Sequence, residues 1–242
     1  MTEENFQRRG GLAALIAAAT VVVGIGMFAT VLSDYASGDL GTGESVAFLA
    51  DNQATVYVWN LVTLIVFSIF LVPLALALHR RLKAGSPAIS QTATGFGLIW
   101  AGLLIAAGMV TSIGFGDVVD LLDTNPAQAE SLWLAVDSVA NGLSGGMEIA
   151  GPMWILLVSL AALRAEVFPR ALNYLGLVMA VAGLATVVPA LEGVAIVFGL
   201  GLIVWLVWVG IVMYRDNSTA AEVRPDALEA LSQRVDEQLA GR

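Results

Sequence analysis

Six long apolar runs constrain this chain more than any other feature: residues 11–32, 54–78, 94–113, 141–163, 171–191 and 194–214. A bilayer core about 30 Å thick takes roughly 20 apolar residues per helix, and within it only helices or closed barrels satisfy every backbone N–H and C=O. The runs are continuous rather than alternating, which excludes a barrel. The expectation is an all-α integral membrane bundle of six transmembrane helices over residues 1–215, followed by a tail at 216–242. Composition agrees. The chain is 58% hydrophobic before its 25 glycines are added, against about 45–50% with glycine included in soluble domains.

Charge gives the bundle a direction, because cytoplasmic loops retain Lys and Arg. Arg8 and Arg9 precede the first run, and Arg80, Arg81 and Lys83 follow the second. Arg164 and Arg170 lie between the fourth and fifth, and Arg215, Arg224, Arg234 and Arg242 follow the sixth. These are all 11 bases of the chain, so both termini are expected in the cytoplasm of a cell whose inner membrane holds the protein. The opposite segments carry only acids: Asp34, Asp39, Glu44 and Asp51; Asp117, Asp120, Asp123, Glu130 and Asp137; and Glu192. The first run, at about 22 residues, exceeds the apolar region of a signal peptide and reads as a retained span. A net charge of −9 excludes nucleic acid as a partner, which would demand a surplus of bases. The lipid bilayer is the partner the sequence requires.

The remaining segments are short. Residues 33–53 are rich in Gly, Ser and Asp, with a surface helix expected over 44–51. Residues 114–140 read as a second acidic segment with a surface helix leading into the fourth span. In the tail, Pro225 suits a first helical turn, and Leu228, Leu231, Val235 and Leu239 form one apolar stripe. Such a helix lies on the bilayer or the bundle, or docks another membrane protein. A faint repeat pairs spans two and three, joined by a basic turn with Pro87, with spans four and five, joined by one with Pro169.

The fourth run carries the polar residues that stand out. Asp137, Asn141, Ser144 and Glu148 are spaced four, three and four, which places them on one helical face. Glu148 is the one acid well inside a run, about 24 Å from Arg164 at 1.5 Å per residue, and an ionisable group at such depth is a functional hypothesis by default. Glycines at 142, 145, 146 and 151, with Pro152 unable to donate to the carbonyl of Glu148, predict a kinked or locally unwound helix of the kind transporters use for ion and substrate sites. Asn60 and Thr63 on the second run, Thr111 on the third and Thr186 on the fifth are candidate partners at similar depth. In one reading, Glu148 binds a small cation, a proton or a small solute, Asn141 and Ser144 orient it, Asn60 joins the site as a partner at similar depth, and Asp137 attracts cations at the mouth. In the other, the glycines serve close helix packing and Glu148 is a neutral interhelical tie.

Several chemistries are excluded by counting. Gly142-Leu143-Ser144-Gly145 matches the GxSG motif of rhomboid proteases, but the sole histidine, His79, belongs to the opposite membrane face, so no catalytic residue is expected. Haem ligation by two histidines and a retinal Schiff base fail for want of residues, because the one lysine is Lys83 in a turn. No cofactor is expected. Asp117, Asp120 and Asp123 could gather a hard cation, yet they lack a loop signature and read as a solvated acidic surface, so no metal site is assigned. Trp59 and Trp133 suit an interfacial belt. Trp154, Trp205 and Trp208 are expected to be buried, to face lipid or to line an aromatic pocket.

The stretch from Arg164, with Pro169, Arg170, Leu175 and Gly176, opening a glycine-rich fifth span and followed by a sixth ending WVGIVMYR, resembles an uncharacterised group of bacterial multi-pass membrane proteins classed as a domain of unknown function. The likeness covers residues 10–215. It implies a six-span bacterial inner-membrane protein and transfers no functional residue. Two functions remain open: a transport-like protein binding a small solute, cation or proton at an outward-opening acidic site, and a non-catalytic accessory or scaffold subunit.

Overall fold

The computed structural model describes residues 3–144 and 149–215, all of whose regular elements are helical. α1 spans Glu3–Thr30, followed by a single turn α2 (Ser33–Ala36) and α3 (Thr42–Asp51). α4 (Gln53–Asn60) continues through a π-helical turn, Leu61–Val66, into α5 (Phe67–Leu82). α6 runs over Pro87–Leu122, α7 over Pro126–Ser144, α8 over Ala150–Ala165 and α9 over Arg170–Ala185. A 3₁₀ turn, Pro189–Val194, leads into α10 (Ala195–Arg215). The tail helix expected around Leu228–Leu239 lies outside the described residues.

Six helices form a closed up-and-down ring. α1 packs on α5, α5 on α6, α6 on α8, α8 on α9, α9 on α10, and α10 closes on α1. Closure rests on small residues: Ala13, Ala14, Ala17 and Ala18 form the buried stripe of α1. A Cβ on Gly11 would stand 2.8 Å from the carbonyl oxygen of Gly210 and 2.9 Å from the backbone nitrogen of Tyr214. The two backbones touch there, and no larger residue fits. Gly176, the glycine of the turn-and-span pattern noted above, plays the same part for α9: a Cβ would collide with the Ser159 hydroxyl and approach Trp205 Nε1 to 2.9 Å.

The bases of the described residues gather at one end. Arg8 donates to the Tyr214 hydroxyl at 3.1 Å, the Arg80 guanidinium lies 4.0 Å over the Phe6 ring, and that of Arg81 5.0 Å over Phe168. The other end is an acidic cap. There the outer part of α6 pairs with α7, and α3 packs on α7, burying Leu32, Val46, Leu49, Phe115, Val118, Trp133 and Val136 as a second apolar cluster. The surface helix expected at 44–51 is α3, whose Glu44 carboxylate accepts the Gly41 N–H at 3.0 Å.

Among the described residues, four helical stretches are long and apolar enough to cross a membrane: Glu4–Thr30, Gln53–Leu82, Pro87–Leu122 and Ala195–Arg215. The other two expected spans, 141–163 and 171–191, correspond to the shorter apolar helices α8 and α9. Each has 16 residues, about 24 Å at 1.5 Å per residue. Run 141–163 is not one helix: Ile149 leaves helical geometry (φ −121°, ψ −63°), its carbonyl accepting the Met153 N–H at 2.9 Å to start α8. Pro152 then sits in the first turn, where a missing N–H leaves no bond unmade. Run 171–191 stops as a helix at Ala185, where the Thr186 hydroxyl donates to the Gly183 carbonyl at 2.6 Å, before the 3₁₀ turn. Segment 114–140 also divides differently from the expectation, since its first nine residues extend α6, residues 123–125 turn, and the rest belong to α7.

Candidate functional site

Across the middle of the ring runs a chain of aromatic rings from α5 through α6 and α8 to α10. Phe67 meets Trp100 at 5.3 Å between centroids, Trp100 meets Trp154 at 5.8 Å and Trp154 meets Trp205 at 5.6 Å. Trp100, Trp154 and Trp205 are fully buried, in accord with the packed reading of the last two. On the basic side of this chain the interior is filled by residues such as Leu71, Leu78, Leu172, Leu206 and Met213. On the acidic side it is hollow.

The hollow is a cavity of about 520 Å³, within the range of about 300–1,000 Å³ usual for small-molecule sites. Phe28 and Gly24 of α1, Phe67 and Trp100 of the aromatic chain, Leu104 of α6, and Phe198, Gly199 and Leu202 of α10 supply much of its apolar wall. Trp59 lines it as well: the ring stacks on Phe28 at 5.7 Å, and its Nε1 donates to the Gly24 carbonyl at 3.1 Å. Trp59 is thus held in the wall rather than standing free in an interfacial belt. The π-helical turn contributes Thr63 and Leu64, and such turns recur at functional sites because they re-aim the side chains they carry.

Among the residues singled out from sequence, Asn141 and Ser144 of α7, Thr63 and Thr186 line the cavity together. The Ser144 hydroxyl donates to the Ala140 carbonyl at 2.8 Å and that of Thr63 to the Trp59 carbonyl at 2.7 Å. Asp137 stands one turn from Asn141 toward the cap, its Oδ2 accepting the Asn141 amide at 3.0 Å. Burial pushes the Asp137 carboxyl above the ordinary carboxylate range, opposed by that amide hydrogen bond. Tyr35, unmarked in the sequence, faces the same charge: burial first, then the Asp137 carboxylate, raises its phenol to about 12.

Asn60 is placed elsewhere. It is buried between α4 and α6, its amide donating to the Gly108 carbonyl at 2.8 Å and to Ser112 Oγ at 2.6 Å, and it is not part of the cavity wall. Glu148 lies outside the described residues, as do Gly145 and Gly146. His79 is at the basic end, where its Nδ1 lies 2.9 Å from Ser90 Oγ, while Ser144 lines the cavity on the acidic side. Among the described residues, no three His, Asp or Glu side chains converge to hold a metal ion.

Compared with known proteins, the chain matches one family model, that of a domain of unknown function, DUF4386, over residues 10–210. Neither a curated protein nor a solved structure matches it.

Proposed function

The chain belongs to the DUF4386 family, a domain of unknown function, and from the cavity we propose that it is a transport-like membrane protein binding a small solute. The observation that carries this reading is the hollow acidic half of the ring, where Asn141, Ser144, Thr63 and Thr186 meet in an otherwise apolar wall. A few polar groups converging in an apolar concavity are the usual form of a small-molecule site. A packing-only interior, as an accessory subunit would have, leaves such a volume unexplained.

In this proposal α8 and α9 also cross the bilayer, completing six spans in the closed ring. Both termini are cytoplasmic, because the bases cluster at the end where α1 begins and α10 finishes. The resemblance to bacterial proteins points to an inner membrane. The site opens outward, and no bond-making chemistry is assigned to it: Ser144, whose hydroxyl donates to the Ala140 carbonyl, is taken as a binding group. Glu148, four residues beyond Ser144 in sequence, is assigned the charge-bearing or proton-accepting role from sequence alone.

The test is solute binding by the full chain in lipid nanodiscs, with Ser144→Trp filling the cavity. Loss of binding in a monodisperse variant supports the proposal, and unchanged binding overturns it. Glu148→Gln separates the finer assignment: unchanged binding and pH response remove Glu148 from the site while leaving the cavity in place.

A further inference from the structure

Resting on the solute-binding reading, we infer that the cavity takes an organic cation, an apolar body bearing an ammonium-like charge, with Asp137 as its counter-charge. Three independent features select this class. The wall is aromatic on several sides, with Phe28, Trp59, Phe67, Trp100 and Phe198, and ring faces attract cations most strongly where water is excluded. An apolar body is what the rest of the wall accommodates.

The second feature is the position of Asp137. Its carboxylate is one hydrogen bond from the cavity, through Asn141 at 3.0 Å, and no ion pair with a base is seen for it among the described residues. A half-buried carboxylate held only by a neutral amide is an incomplete arrangement, and a cation in the cavity mouth completes it. The third feature is the field. Every base of the described residues lies in segments at the basic end, whereas the cap bears Asp34, Asp39, Glu44, Asp51, Asp117, Asp120, Asp123 and Glu130. An anion approaching this end meets one sign of charge, and a cation is drawn in.

The test measures binding of an arylalkyl-trimethylammonium probe and its neutral tert-butyl isostere to the full chain in nanodiscs, with empty discs subtracted. The wild type binds the ammonium probe at least tenfold tighter; Asp137→Asn erases that preference without changing affinity for the isostere; Asp137→Glu, which keeps the charge, retains it. Gly199→Leu, at a wall position where a Cβ meets nothing within 4 Å, weakens both probes. Equal affinities in the wild type overturn the cation assignment, and a preference that survives Asp137→Asn overturns Asp137 as the counter-charge; either leaves the cavity reading standing. Binding of neither probe, or binding indifferent to Gly199→Leu, overturns both.

Discussion

The two halves of the ring use the same helices to opposite ends. Toward the basic end α1 and α10 meet backbone to backbone at Gly11 and Gly210, Gln7 donates to the Ala77 carbonyl at 3.1 Å, and side chains fill the space between. Toward the acidic end the same two helices become facing walls of a cavity, with Gly24, Phe28, Phe198 and Gly199 among the lining. In a bilayer, lipid is as apolar as the helix faces, so association depends on close packing rather than on expelling water. Packing forgone in one half must be supplied by the other. The sealed half is therefore the anchor of the ring, and the hollow half is the part free to serve a ligand.

The largest effect is expected where the halves meet. Trp154→Ala removes a fully buried ring that touches both Trp100 and Trp205, and should destabilise the protein by about 3–5 kcal/mol. Loss of monodisperse protein, or a thermal midpoint lower by roughly 10 °C, would show it. Next comes Gly210→Leu, whose Cβ would stand 2.8 Å from a Leu15 side-chain carbon and 3.0 Å from the Gly11 carbonyl oxygen. Overpacking of this kind costs about 1–3 kcal/mol, so a midpoint equal to wild type would show that the seal is not where the ring is held.

Gly199→Leu, on the same helix but in the hollow half, makes the contrast sharp. A Cβ there meets nothing, and Leu favours a helix over Gly by about 0.8 kcal/mol. The thermal midpoint should hold or rise slightly while solute binding falls. A drop as large as that of Gly210→Leu would mean that the two halves are packed alike.

Much of this division was legible in the chain. Each of the six apolar runs overlaps one ring helix, and the bases name the sealed end because positive charge and tight turns such as that around Pro169 coincide there. The extension of α6 was hidden because Asp117 and Asp120 read as a solvated acidic surface separate from the third apolar run, whereas they share its helix with Phe115 and Val118, whose burial against Trp133 and Val136 is a tertiary choice. Spacing brought Asp137, Asn141 and Ser144 together correctly, since an i, i+4 face survives any packing. Asn60, at similar depth, lies between α4 and α6 rather than in the cavity wall; depth alone cannot tell a wall from an interhelical tie. Tyr35 reaches Asp137 through an aperiodic Gly/Ser segment, and nothing in its neighbours announces that approach. The π-helical turn likewise has no compositional mark.

The smallest expected effect concerns Asp137 itself. Its carboxyl is raised by burial, so the folded state favours the protonated form more than the unfolded chain does. Stability from this group is present below the unfolded carboxylate range near 3.9 and is lost as pH rises through the higher folded value. At neutral pH the wild type therefore carries a penalty that Asp137→Asn lacks: the variant should melt slightly higher, and the difference should close as pH falls below the carboxylate range. Removing that charge should also bring the Tyr35 phenol down from about 12 toward its ordinary range, while burial, the larger cause, keeps it above. An ultraviolet phenolate titration reads this shift. A Tyr35 value unmoved by Asp137→Asn would break the electrostatic link between cap and cavity mouth, and with it the idea that the hollow half trades stability for a charge placed to meet a ligand.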